Sequence, residues 1–137
     1  KAINAADGSL ITPNGSGTTS GSIKMDFISN TLTWSTSITN KADAWHDIPF
    51  SNIKCDSTIG ANAKLLLQNL GFLPYEGDTL ESAHHCYFDN GLAEICFYSG
   101  GNWDNSDYGL ASFNYNVRSN TRTNLGFRSA LPHRQIL

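Results

Sequence analysis

Apolar residues recur with a period of two in three separate stretches of this chain, and with a helical period in only one. Ile23, Met25 and Phe27 alternate with Lys24 and Asp26. Leu32, Trp34, Thr36 and Ile38 alternate with Thr33, Ser35 and Ser37. Ala111, Phe113, Tyr115 and Val117 alternate with Ser112, Asn114, Asn116 and Arg118. Alternation sends successive side chains to opposite faces of a strand, so each stretch predicts a strand with one buried face. Ser29-Asn30-Thr31 is a turn composition and joins the first two stretches as a hairpin. The helix signal covers residues 62–71. Asn62 is placed to cap it, Leu66, Leu67 and Leu70 share a face, Gly71 supplies a left-handed stop, and Pro74 follows. A short helical turn at Leu80–Ala83 is a second candidate.

A second hairpin is predicted over His84–Tyr98. His85, Cys86, Tyr87 and Phe88 form one arm and Leu92–Tyr98 the other. Asp89-Asn90-Gly91 lies between them, with Asn-Gly offering the positive φ of a tight turn. In that hairpin Cys86 and Cys96 share a parity, which suits either a disulfide or two free core thiols. Leu125–Leu131 reads as a last strand before Pro132, and residues 12–22, all Thr, Pro, Asn, Gly and Ser, read as a loop. A chain of 137 residues fits one domain, 1–137. The expected class is α+β: short strands and hairpins, one or two short helices and long loops, opening on an irregular segment over residues 1–22.

Charge narrows the partners. Charged residues make up 15% of the chain, against about 25% in an average domain. The net charge of -3 and pI near 5.7 argue against nucleic acid. No run approaches the roughly 20 apolar residues of a membrane span, so no membrane insertion is expected. Residues 1–64 balance five Lys against five Asp. Residues 65–107 hold seven acids and no base, and residues 108–137 hold four Arg and no acid. Opposite signs in one small domain favour the C-terminus packing back on the middle, with Arg118, Arg122 and Arg128 as braces. Three cysteines (Cys55, Cys86, Cys96) are too few for a disulfide scaffold and leave at least one thiol unpaired in a monomer. The chain opens at Lys1 without an initiator Met or an apolar leader, and reads as trimmed or cut from a longer protein.

Catalytic chemistry finds little purchase. His84 and His85 are neighbours and would point to opposite faces of a strand. His46-Asp47 reads as a loop pair serving a turn and a cap. There is no GxSxG elbow, and no Cys lies in an electropositive neighbourhood. Glu76, Asp78 and Glu81 read as a solvated acidic loop. Asp104, Asn105 and Asp107, beside Trp103, carry oxygens of the kind calcium prefers, but their spacing is too thin for a hard-cation site. No catalytic residue, metal or cofactor is expected.

The stretch Asn102–Asn124 is different in kind. Six of its 23 residues are Asn, against eight in the other 114. Asn competes with regular backbone pairing, so a purely structural segment has no need of so many. Mixed with Tyr, Ser and Asp, they make the composition of a binding surface: rigid aromatic area beside adaptable hydrogen-bonding groups. On the alternating strand Ser112, Asn114 and Asn116 face outward while Phe113 and Val117 anchor. Tyr108, Tyr115 and Trp103 are candidate aromatic anchors, although alternation turns Tyr115 inward.

Three pieces of the C-terminal region carry a resemblance. Gly100-Gly101-Asn102-Trp103, Gly109-Leu110-Ala111-Ser112-Phe113 and Leu125-Gly126-Phe127-Arg128-Ser129-Ala130 fall in that order. They resemble the end of the variable proteins of diversity-generating retroelements: GGxW, a small-residue and Phe strand, then GFRxA. The resemblance covers residues 100–131. It implies a C-type-lectin-like fold and a ligand-binding role, in a receptor-binding protein of a phage or other virus or in a surface-displayed cellular binder. Its location would be a virion tail or surface structure, or the cell surface. Such proteins are diversified by adenine-directed mutagenesis. Asn codons hold two mutable adenines and reach Asp, Ser, Tyr, Thr and His without a stop.

Asn102, Asp104, Asn105, Ser106, Asp107, Tyr108, Ser112, Asn114, Tyr115, Asn116 and Asn120 all belong to that set and are the expected ligand-binding residues. Trp103 and Phe113 have adenine-free codons; Gly109, Leu110, Ala111 and Val117 can have them. The implied partner is a protein or glycan on a target surface, met through a homotrimer or other multivalent display that raises avidity. The alternatives are a calcium-dependent carbohydrate-binding lectin and a formylglycine-generating-enzyme-like domain. The Glu-Pro-Asn type element of the first is absent, and the second uses a late cysteine pair, whereas no Cys follows Cys96.

Overall fold

The computed structural model describes residues 1–41, 45–78, 85–91, 95–99 and 113–117, the last two stretches by their backbone pairing. The element order is β1 (Ala2–Ile3), β2 (Leu10–Ile11), β3 (Lys24–Ile28), β4 (Thr31–Ser35), β5 (His46–Pro49), a 3-10 turn (Phe50–Asn52), β6 (Ile53–Cys55), α1 (Ala61–Asn69), β7 (His85–Phe88), β8 (Ile95–Ser99) and β9 (Phe113–Val117). Three small sheets result: β1-β2, β3-β4-β6 and β5-β7-β9-β8. With one helix among the described residues, the class is α+β.

The first hairpin forms as its alternation predicts. Met25 pairs with Trp34 and Phe27 with Leu32, which puts all four on one face. Met25, Leu32 and Trp34 are buried. The turn is tighter than expected: Thr31 already belongs to β4, and only Ser29 (φ 50) and Asn30 (φ 58) reverse the chain. Two successive positive φ values are the two-residue geometry that follows strand twist.

β4 also ends earlier than its alternation, at Ser35 rather than Ile38. The backbone amides beyond it are bound by side chains instead of a neighbouring strand. Thr58 Oγ1 takes the amide of Thr36 and Ser35 Oγ that of Ser37. The carboxylate of Asp26 takes those of Thr39 (3.0 Å) and Asn40 (2.7 Å), together with the Thr39 hydroxyl (2.5 Å). Local polar side chains have outcompeted the ladder.

α1 differs from expectation at both its start and its buried face. Gly60, not Asn62, is the N-cap, and no side chain caps the helix. The cause is a close approach. Gly60 donates its amide to Ala5 O (2.8 Å), and a Cβ at Gly60 would lie 1.9 Å from Ala6 O. Ala63 and Leu67, one turn apart, form the buried face, while Leu70 is 48% exposed because it sits past the last helical residue. The stop is as predicted. Gly71 has φ 76, its amide reaches Gln68 O, and the Phe72 amide reaches Leu67 O (2.8 Å), a Schellman arrangement. Trp34 Nε1 then donates to Phe72 O (2.8 Å), fastening the helix exit to β4.

One core joins the elements. The hairpin face, Ile53, Ile59, Ala63, Leu67 and Leu73 share it with Ile48, Cys86 and Phe88 of the four-stranded sheet. Phe27 bridges the sheets, edge-on to Phe88 (5.2 Å between centroids) and against His46 (4.4 Å). Residues 12–22 lack strands and helices, as expected, and are held by their own side chains: Asn14 alone bonds Ser16, Thr18 and Thr19.

Two substitutions test this account. Gly60→Ala drives a Cβ into a backbone carbonyl and lowers stability by about 3 kcal/mol, roughly 10 °C in Tm. Asp26→Ala takes the shared acceptor from the amides of Thr39 and Asn40 and costs about 2 kcal/mol by urea unfolding. A loss under about 1 kcal/mol in either variant contradicts the packing described.

Candidate functional site

β9, the strand at the heart of the Asn-rich stretch, lies between β7 and β8. It pairs in parallel with β7, Cys86 opposite Phe113 and Tyr87 opposite Asn114. It pairs antiparallel with β8 from Ile95–Val117 to Ser99–Phe113. The predicted direct pairing of the two arms in His84–Tyr98 is therefore wrong: β7 and β8 both pair with β9. Asn90 explains part of the failure. Positive φ among the non-glycine described residues is confined to Ser29 and Asn30. Asn90 is instead buried, and its amide donates to Met25 O (3.0 Å) and Asn40 O (2.8 Å). It serves β3 and the 36–40 loop rather than a tight turn.

The intervening strand also decides the thiol question for Cys86. Two strand spacings put β7 and β8 about 10 Å apart, beyond the roughly 7 Å between Cα atoms that a disulfide spans. Cys86 and Cys55 are free thiols. Burial pushes Cys86 well above the ordinary thiol value, and the charge of Asp47 adds to the shift. Burial also raises Cys55. Neither is a nucleophile near neutral pH.

Two faces of the four-stranded sheet can be told apart. On β5 and β7, Ile48, Cys86 and Phe88 are fully buried, with His46 beside them; these form the core face. Asp47, Pro49, His85 and Tyr87 hold the opposite parity and form the outer face. His46-Asp47 is thus strand, not the loop pair expected, and the two residues serve opposite faces. The β7–β9 register continues the division. Position 114 falls beside Tyr87, so 114 and 116 belong to the outer parity and 113, 115 and 117 to the core parity. This is the alternation read from the sequence, including the inward parity of position 115. Asn114, Tyr115 and Asn116 are brought into the sheet. Asn102, Asp104, Asn105, Ser106, Asp107, Tyr108, Ser112 and Asn120 lie outside the described residues, as do Trp103, His84 and the GFRxA piece.

The outer face also holds Trp45, which the sequence reading passed over. Trp45, just before β5, stacks on Tyr87 with ring centroids 5.0 Å apart and planes 15° apart. Trp45 is 37% exposed. His85 Nδ1 and Asp47 Oδ1 are 3.0 Å apart across the β5–β7 pair. A carboxylate only accepts, so Nδ1 carries the shared proton. The signal was present in the alternation of Trp45, Asp47 and Pro49 with His46, Ile48 and Phe50. Among the described residues no three His, Cys, Asp or Glu side chains are grouped to hold a metal ion. Asp26 is occupied entirely by N–H and O–H donors.

No protein-family model matches this chain, and no curated protein shows significant similarity to it.

Cys86 gives a pH prediction. Native Cys86 keeps its proton above pH 9, where the thiol of the unfolded chain releases it. The unfolded state then binds fewer protons, so stability declines as pH rises past about 9. Cys86→Ser should flatten that decline in urea melts at pH 8 to 10.

Proposed function

We propose that this protein is a ligand-binding variable protein of the diversity-generating-retroelement type, with a C-type-lectin-like fold and no catalytic role. The observation that carries this reading is the partition within residues 100–131. Residues that an Asn codon reaches by substitution at its adenines are interleaved with a framework, Trp103, Gly109, Leu110, Ala111, Phe113 and Val117, that can be encoded without adenine, and both fall between the ordered pieces GGxW and GFRxA.

The sheet supports the reading at three positions. β9 is hydrogen-bonded on both edges, so its course depends on backbone groups and not on which side chains occupy 114 and 116. Phe113 pairs with the buried Cys86, at a place where a constant residue is needed. The α+β class, with small sheets and one described helix, is compatible with the fold the motifs imply.

In this reading Asn102, Asp104, Asn105, Ser106, Asp107, Tyr108, Ser112, Asn114, Asn116 and Asn120 set specificity for a protein or glycan on a target surface, and Tyr115 belongs to the same mutable set. Display on a virion or cell, as a trimer or other multimer, raises the avidity of a modest patch.

The adjoining DNA tests this directly. A reverse-transcriptase gene should lie nearby, with a near-copy of the codons for residues 102–124 that differs only where the copy has adenine. A neighbourhood with neither, or a copy whose differences ignore adenines, overturns the proposal.

A further inference from the structure

We infer that Asn14 is a site of covalent self-modification: the loop around it promotes attack of the Gly15 backbone nitrogen on the Asn14 side-chain amide, converting Asn14 to aspartate and isoaspartate. The inference goes beyond the ligand-binding reading and does not rest on it.

The first argument is the pair itself. The chain holds two Asn-Gly pairs, Asn14-Gly15 and Asn90-Gly91. Glycine puts no Cβ beside the attacking nitrogen and leaves the backbone free to turn toward the closing ring. Gly15 has φ 86, and a Cβ built there would meet nothing within 4 Å. Asn14, Gly15 and Ser16 are all exposed, so water and hydroxide reach them.

The second argument is how the Asn14 amide is held. Its Oδ1 accepts the Ser16 N–H (3.0 Å) and the Ser16 hydroxyl (3.0 Å). Its Nδ2 donates to Thr18 Oγ1 (2.7 Å), and Thr18 Oγ1 lies 2.8 Å from Ser16 Oγ. With the Ser16 proton on Oδ1, Thr18 is the donor to Ser16, and the bonds form a closed ring from Oδ1 through two hydroxyls to Nδ2. Attack on Cγ puts negative charge on Oδ1, where two donors are already aimed, the arrangement of an oxyanion hole.

The step balances with water alone as co-reactant. The Gly15 N–Cγ bond forms as hydroxide removes the Gly15 N–H proton, and water protonates Oδ1, which restores the hydroxide. The two hydroxyls then turn, and a proton passes from Oδ1 to Ser16, from Ser16 to Thr18 and from Thr18 to Nδ2. The Cγ–Nδ2 bond breaks, ammonia leaves, and water opens the succinimide at either carbonyl. The product carboxylate adds a negative charge and can no longer donate to Thr18.

The third argument is the contrast with Asn90. It is 3% exposed, and its Nδ2 donates to the carbonyls of Met25 and Asn40. Carbonyls only accept, so neither can return a proton to a departing nitrogen.

The test is peptide mapping by mass spectrometry after the full chain is incubated at mildly alkaline pH in heavy-oxygen water. Asn14 should become aspartate and isoaspartate, each carrying heavy oxygen. It should react about tenfold faster in the native chain than in the guanidinium-unfolded chain. Asn90 should react only in the unfolded chain. Ser16→Ala removes one oxyanion donor and Thr18→Val breaks the relay, and each should slow native Asn14 by at least about threefold. Both replaced side chains are exposed, so near-UV circular dichroism should be unchanged. A native rate no faster than the unfolded one, or a native rate that neither substitution slows, overturns the inference. So does native Asn90 reacting as fast as Asn14.

Discussion

Asp26 and Asn90 together form the polar clamp on which the arrangement of the two larger sheets depends. Asp26 is 3% exposed on β3, and its carboxylate gathers the amides of Phe27, Thr39 and Asn40. Asn90, just past β7 and also buried, donates to the carbonyls of Met25 and Asn40. One loop residue, Asn40, is therefore held by both, its N–H by Asp26 and its carbonyl by Asn90. Buried polar groups are costly unless satisfied, and a satisfied network specifies one geometry where apolar packing alone tolerates several. Here it ties β3 to the end of β7, and Phe27 can then bridge to His46 and Phe88.

What could be read in advance divides along the range of the interactions. The β3–β4 hairpin and the helix stop at Gly71 depend on residues within a few positions of one another, and both appear where alternation and turn chemistry put them. The failures come from distant partners. Asn62 is a reasonable cap until Ala5 and Ala6, more than fifty residues earlier, close on Gly60. Asn90-Gly91 is a strong turn signal until Asn90 is needed 65 positions back, at Met25. β4 would run on to Ile38 if Asp26 did not hold the amides of residues 39 and 40. In each case a side-chain or backbone polar group far along the chain offers a better partner than the local one.

The candidate site follows the same rule. The parity of positions 113–117 was legible because alternation is local. The neighbours of that strand were not, because a parallel β7–β9 pairing leaves no short-range trace. Trp45, Asp47, His85 and Tyr87 assemble only once β5 has paired with β7. The outer parity thus combines an aromatic and acid–imidazole part on β5 and β7 with positions 114 and 116 on β9.

A central strand is a sound place for residues that must change. Ladder hydrogen bonds use backbone groups, so they are indifferent to side-chain identity except at Pro. A strand paired on both sides keeps its register when one face is rewritten, provided the other face still packs, because a one-residue slip would carry the whole apolar set out of the core. β9 has partners on two edges, and its register gives positions 113 and 117 the parity of the buried Cys86. An edge strand would be a poorer choice, since its free amides could pair with other chains whenever substitution made it more apolar. The β5–β7 pair is reinforced differently. Trp45 and Asp47 lie on or beside β5, an end strand of this sheet's order, where the aromatic stack and the carboxylate–imidazole pair cross to β7 and add side-chain contacts to a pairing that has only one ladder.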